Sequence, residues 1–251
     1  MNVSMYQAAA AMNANSRWQE IISENLASGS VPGYKKQELS LAAVQAGLMP
    51  ASSLTSNSAQ TFTMPKADSV TSFAQGDLQA TGNKNDVAIV GKGFFQVQLP
   101  DGKVASTRDG EFEINQQGQL VTKQGYLVLG ESGGPIQMDR ANPAPLSISA
   151  NGDVSQGAEP KGKLKLVEFD KPELLTKISG SYFINNNPQL KETTSTSTVR
   201  QGYLEASNSS VVREMANMMT AMRSFEANQH IIQMQSDRMS KLISDLGTPP
   251  A

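Results

Sequence analysis

At 251 residues the chain is long enough for one large domain or two small ones with a real core. Charged residues make up 18% of it against a usual figure of about 25%, and the formal net charge is −2, so an electrostatic footprint for nucleic acid or an anionic membrane is missing. Cysteine is absent and histidine occurs once, at His230, which removes disulfides, thiolate nucleophiles and a histidine-pair metal site together. No window approaches about 18 consecutive apolar residues, so a bilayer-spanning helix is not expected. The first positive side chain is Arg17, and the segment before it lacks the basic region of a cleaved signal peptide.

The chain opens on a helix over residues 4–27, favoured by Ala8 to Ala11 and uninterrupted by Pro or Gly. Met5, Ala8, Met12, Asn15, Gln19, Ile22 and Leu26 alternate spacings of three and four, a heptad stripe. A run of breakers, "NLASGSVPGYKK", then stops the helix. Gly29 suits the left-handed position just past a helix end. Pro32 forces Val31 to be extended, and Pro32-Gly33 supplies the central residues of a type II turn. Tyr34 then presents a large amphipathic ring before Lys35 and Lys36. Residues 1–36 therefore form the first segment, a helix and a corner.

Residues 37–75 are polar and low in complexity, which predicts an extended Ser/Thr-rich linker with a single short strand at "QTFTM". From residue 76 to 184 the pattern becomes β, with β-branched and aromatic runs such as "VAIVGKGFFQVQL". Turn dipeptides at Asp101-Gly102, Asp109-Gly110, Gln117-Gly118 and Gln124-Gly125 fit hairpins of an antiparallel sheet, about ten short strands in all. A second polar linker covers residues 185–208.

The last segment, residues 209–251, reads as one long helix with Ser209 or Ser210 as its N-cap and Glu214 in its first turn. Val211, Met215, Met218, Met222, Phe225, Gln229, Ile232, Ser236, Met239, Ile243 and Leu246 keep a strict four-three alternation up to Gly247 and the Pro249 stop. A seam sustained for about five heptads is the mark of a coiled coil or bundle. The expected fold class is α+β, an antiparallel all-β central domain flanked by long N- and C-terminal helices that pair as a coiled coil. The seam is assigned to Met5, Met12, Ile22 and Leu26 facing Val211, Met215, Met218, Met222, Phe225, Ile232, Met239, Ile243 and Leu246.

Convergent chemistry is lacking. In "RDGEFE" the acids belong to a hairpin around Phe112, with Glu111 and Glu113 outward. "GKGFF" and "GESGGPI" lack the helix that follows a phosphate loop, and "NGD" at Asn151 lacks the later acidic ligands of a calcium loop. No catalytic residue, cofactor, metal or small-molecule substrate is assigned, and an enzyme is not expected.

Three stretches together resemble the bacterial flagellar basal-body rod family of axial proteins. In "SENLASGSVPGYKK", Asn25, Leu26, Ala27, Pro32, Gly33, Tyr34 and Lys35 are similar to the family's N-terminal signature, while Ser28 and Val31 depart from it. The central "GDLQATGNKNDVAIVGKGFFQV" to "GESGGPI" and the C-terminal "VRQGYLEASNSSVVREMANMMTAMRSFEANQHIIQMQSDRMSKLI" resemble its β module and its C-terminal helix. The resemblance implies a structural subunit of the basal-body rod that assembles with copies of itself and other rod and hook axial proteins. It further implies a helical tube with the terminal helices as inner wall, a location in the periplasmic rod, and export without a cleaved signal by the flagellar type III apparatus. Within the family the chain looks most like the proximal-rod member, with the distal-rod member close. The alternative from another class is a secreted β-rich adhesin or fibre subunit oligomerised by its C-terminal coiled coil.

Overall fold

The computed structural model describes residues 3–49, 60–140, 142 and 144–247, and the chain divides into two compact units. The first unit takes residues 1–26, 37–70 and 211–251. It contains helix α1 (Val3–Ala27) and the strands β1 (Gln37–Met49) and β2 (Gln60–Thr71), which pair with each other. Where composition suggested a linker, the β-branched Thr61, Thr63, Val70 and Thr71 support a strand instead. Pro65 lies within β2, a place open to proline because a two-stranded ribbon leaves one edge of each strand unpaired.

The second unit takes residues 27–36 and 71–210. It begins with β3 (Leu78–Ala80), β4 (Val87–Val90), β5 (Phe94–Gln98), β6 (Val104–Thr107), β7 (Phe112–Ile114), β8 (Leu120–Thr122) and β9 (Leu127–Val128). It continues with β10 (Leu146–Ile148), β11 (Asp153–Gln156), β12 (Glu159–Lys163), β13 (Leu166–Phe169), β14 (Thr176–Ser179) and β15 (Tyr182–Ile184). It closes with β16 (Glu192–Thr194), β17 (Thr198–Gln201) and β18 (Tyr203–Glu205). Helix α2 (Val211–Gly247) then belongs to the first unit, with both terminal helices flanking antiparallel sheets in an α+β chain.

The largest sheet has the order β14-β15-β6-β5-β9-β8-β7, with β13 pairing both β5 and β16, and β10-β11-β12 form a separate meander. Three of the four Gly dipeptides turn hairpins. Gly102, Gly118 and Gly125 each take a left-handed φ between paired strands. Asp109-Gly110 does not, because β6 pairs with β5 and β15 whereas β7 pairs with β8. There the chain crosses over, and a Cβ on Gly110 would stand 1.7 Å from the Val87 carbonyl oxygen.

Strand β5 explains the double core. Successive side chains on a strand point to opposite faces. Phe95 enters the main cluster with Val87, Val97, Phe112, Leu120 and Val128, while Phe94 enters a second cluster with Val167, Phe169, Leu175, Phe183 and Leu190. Both faces of β5 are covered, so Phe94 to Val97 are all buried, Gln96 included, rather than buried at every second position.

The polar stretch expected to be a linker over 185–208 contributes β16, β17 and β18. Strand β17 pairs with β4 along four residues, and β18 pairs with β3 from Tyr203–Ala80 to Glu205–Leu78. The outgoing chain of the β unit is thus zipped to its incoming chain. Composition concealed this, because side chains such as Thr198 and Arg200 face solvent and only Val199 between them is buried.

Candidate functional site: the corner and its buried ionic cluster

The corner is built by the Pro-Gly pair. The Tyr34 N–H donates to the Val31 carbonyl at 3.3 Å, and Gly33 sits at φ +66°, as the third residue of a type II turn requires. Gly29 is not in the left-handed region, so the special conformation lies at Gly33 instead, while the Val31 N–H donates to the Ser28 carbonyl at 3.1 Å. Glycine is required at position 33 for a second reason. A Cβ there would lie 2.3 Å from the Arg108 carbonyl carbon and the Asp109 nitrogen, backbone atoms that cannot move aside. The Gly33 N–H donates to the Glu205 carbonyl at 2.7 Å, which ties the corner to β18.

Behind the turn lies a cluster of buried charges. Lys35, Arg108 and Glu205 are 0%, 3% and 1% exposed. The Glu205 carboxylate accepts from Lys35 Nζ on one oxygen and from Arg108 Nη1, at 3.1 Å, on the other. The Gly76 N–H adds a bond to Glu205 Oε1 at 2.9 Å. The cations are satisfied further by main-chain carbonyls, Lys35 Nζ donating to Ala74 and Arg108 Nη2 to Gly91, both at 2.7 Å. The Arg108 guanidinium also lies 5.0 Å from the centroid of the Phe94 ring. Burial pushes the Lys35 ammonium below its ordinary range and does the same to Arg108, and in both cases the Glu205 charge opposes the shift. Removing the Glu205 carboxylate strands both cations in a dry site, at a cost of about 3–5 kcal/mol.

The remaining signature residues are each held within their own unit. Tyr34 is fully buried, with Lys177 Nζ 4.1 Å above its ring, so the aromatic group expected to be displayed is instead part of the interior. Asn208 bridges the two chain directions: its Oδ1 accepts from the Lys36 N–H at 2.7 Å, and its Nδ2 donates to the Ser72 carbonyl at 2.8 Å. In the other unit Asn25 is 1% exposed and bonds both the N–H and the C=O of Gln37, at 2.9 and 2.8 Å. It acts as a substitute strand partner at the start of β1. Leu26 and Pro32 are half-buried and Ala27 is exposed.

Asp109 is the misfit of the region. It is 2% exposed, and burial raises its carboxyl to about 6 despite a hydrogen bond from the Glu111 N–H to its Oδ1 at 3.1 Å.

The assigned seam behaves differently. On α1, Ile22 is buried, as are Ala14 and Ile21. Met12 and Leu26 are half-buried. On α2, Glu214 and Ala221 are buried and Met218, Phe225 and Ile232 half-buried, so the covered stripe runs through 214, 217, 218, 221, 224, 225, 228 and 232. Val211, Met215, Met222 and Met239 stay 38%, 52%, 52% and 45% exposed, joined by Val212, Met219, Ile231 and Met234. The side chains of Met5, Ile243 and Leu246, and the Pro249 stop, lie outside the described residues. The covered stripe contains the small residues Asn217, Ala221 and Ser224, a signal for close approach that the heptad reading passed over.

Sequence alone does not single out Arg108 and Glu205 as functional residues. The available signal was a charged residue inside each of two of the resembling motifs, "TRDG" and "YLEASN", flanked by strand-forming residues.

Comparison with known proteins converges on one group. Residues 88–156 match the family described as Flagellar hook protein FlgE/F/G D1 domain, and residues 200–245 match Flagellar basal body rod FlgEFG protein C-terminal. The flagellar basal-body rod protein FlgF of Caulobacter vibrioides is 32% identical over 91% of both chains, and that of Escherichia coli 30% identical over 97% of this chain and 99% of its own. FlgG of Buchnera aphidicola subsp. Acyrthosiphon pisum is 39% identical over 68% of both chains. These relatives set aside the adhesin alternative. The chain belongs to the flagellar basal-body rod protein family, as one of its structural, non-catalytic subunits.

Proposed function

We propose that this rod subunit assembles through the open face of α2, where Val211, Met215, Met222 and Met239 meet the terminal helices of neighbouring copies and of other axial proteins. The observation that carries this is a helix of 37 residues with a row of large apolar side chains half exposed. Lone apolar residues on a surface need no explanation, but a periodic row of them marks an interaction surface. Methionine, unbranched and adaptable, suits a contact that must fit more than one kind of neighbour. Met5, Met12, Ile22, Leu26, Met218, Phe225, Ile232, Ile243 and Leu246 complete the seam in this reading. A heterologous contact that does not close generates a helical tube, which carries torque through its packed seams. Export proceeds by the flagellar type III route without a cleaved signal, to the periplasmic rod. The end-to-end match to FlgF relatives, against about two-thirds coverage by FlgG relatives, supports placing the chain with the FlgF type, and a proximal rod position is part of the proposal.

The test pairs sedimentation with motility. The purified chain is expected to remain monomeric alone and to polymerise only with other rod proteins. A Met215→Glu/Met222→Glu chain, folded but unable to polymerise and to restore swimming to a deletion strain, is the expected result. Normal rods built from that variant would overturn the seam.

A further inference from the structure

We infer that Glu205 is a positioning residue that makes closure of the corner conditional on docking of the outgoing strand β18. The geometry has three parts. Lys35 follows the Pro-Gly turn, Arg108 lies in the crossover after β6, and both direct their charge at the two oxygens of the same carboxylate. Glu205 reaches them from a sequence distance of 170 and 97 residues respectively. Without that carboxylate, closing the turn would bring two cations together in a site where Lys35 and Arg108 are 0% and 3% exposed. Each cation disfavours the other there, and the Arg108 charge is one of the influences that lower Lys35.

The carboxylate arrives only when β18 has paired with β3, through Glu205 opposite Leu78. The same event delivers the Glu205 carbonyl to the Gly33 N–H and Asn208 Oδ1 to the Lys36 N–H. The sign of the interaction therefore changes on docking. Before it, Lys35 and Arg108 hold the corner open by repulsion. After it, they hold the corner shut. The turn that follows α1 and the strand that precedes α2 thus become ordered together. A corner held by hydrogen bonds alone would also weaken in Glu205→Gln, which loses one of the two acceptor oxygens, but removing Lys35 as well would then restore nothing, because it only takes away a further donor.

Hydrogen exchange measured by mass spectrometry on the isolated full chain tests this independently of the assembly seam. Glu205→Gln keeps shape and one acceptor oxygen but removes the charge. Exchange of the corner amides of Gly33, Tyr34 and Lys36 is expected to rise by about tenfold or more while Phe95 and Val97 in β5 stay protected. Lys35→Met in that background removes one of the two cations, and the corner is expected to exchange several-fold more slowly than in Glu205→Gln alone. Lys35→Met by itself leaves the Arg108–Glu205 pair and is expected to keep the corner protected. The inference is overturned by an unchanged corner in Glu205→Gln. It is equally overturned by a double variant that exchanges as fast as Glu205→Gln or faster, or by a Lys35→Met corner as open as that of Glu205→Gln.

Discussion

The β unit and helix α2 invert the ordinary surface rule in opposite directions. The β unit buries full charges, Lys35, Arg108 and Glu205, and pairs them with one another and with main-chain carbonyls. Helix α2 leaves large apolar side chains such as Met215 and Met222 half in water. Buried charges cost desolvation, so a chain tolerates them where they fix one geometry and exclude others. Exposed apolar rows cost solubility, so a chain tolerates them where another surface will cover them. The contrast separates a region closed on itself from one that the proposed assembly would cover with a neighbour.

That contrast can be broken most severely at the crossover. Gly110→Ala places a Cβ against the Val87 carbonyl, and the β unit is expected to lose more than about 4 kcal/mol in a urea titration. A loss below about 1 kcal/mol would mean that the crossover backbone yields and that the unit is less fixed than its packing implies.

Phe95→Ala comes next. The ring is fully buried and meets Phe112 edge-on at 5.1 Å, so truncation is expected to cost about 3–5 kcal/mol. Unfolding followed by near-ultraviolet signal and by hydrogen exchange of β5 gives the number.

Asp109 sharpens the picture from inside the closed region. Its folded pKa of about 6 is above the unfolded 3.8, so the folded state binds the proton more tightly. Stability from this group is fully present below 3.8 and is lost as pH rises through about 6. Asp109→Asn is expected to flatten that part of the stability profile and to stabilise the chain by about 3 kcal/mol at pH 7.5. An unchanged pH profile would show that the carboxylate is better solvated than its burial indicates.

The smallest effect on folding belongs to α2. Met215→Glu/Met222→Glu should change monomer stability by no more than about 0.5 kcal/mol, because both side chains already stand in water. A loss of several kcal/mol would show that the monomer itself uses this face, and the contrast would collapse.

The two regions also differed in how much of them was readable in the sequence. Helices declare themselves through short-range periodicity, so α1 and α2 were placed to within a residue or two where their bounds are described. The hairpin glycines at 102, 118 and 125 were legible for the same reason, since a turn is a local event. Asp109-Gly110 carries the same dipeptide as the Asp101-Gly102 hairpin but in a crossover, and nothing local distinguishes the two uses. Strands β16 to β18 look like linker in sequence because their partners, β13, β4 and β3, are distant along the chain and their side chains are largely polar. The ionic cluster was hidden more deeply. Lys35 was visible as a motif residue, but its need for Glu205 is a fact about pairing register, which no window of the sequence contains.

The ladder between β3 and β18 has a mechanical consequence. Asp77 and Ala206 stand side by side at its open end, where the Ala206 N–H donates to the Asp77 carbonyl at 2.8 Å. Tension applied to the chain at those two points would part the strands rung by rung, as a zipper opens, rather than shear every bond at once. Glu205 faces Leu78 on the next rung, and through Lys35 and Arg108 it ties that rung to two further segments of the chain. The weak end of the ladder is therefore where the domain has placed its clasp.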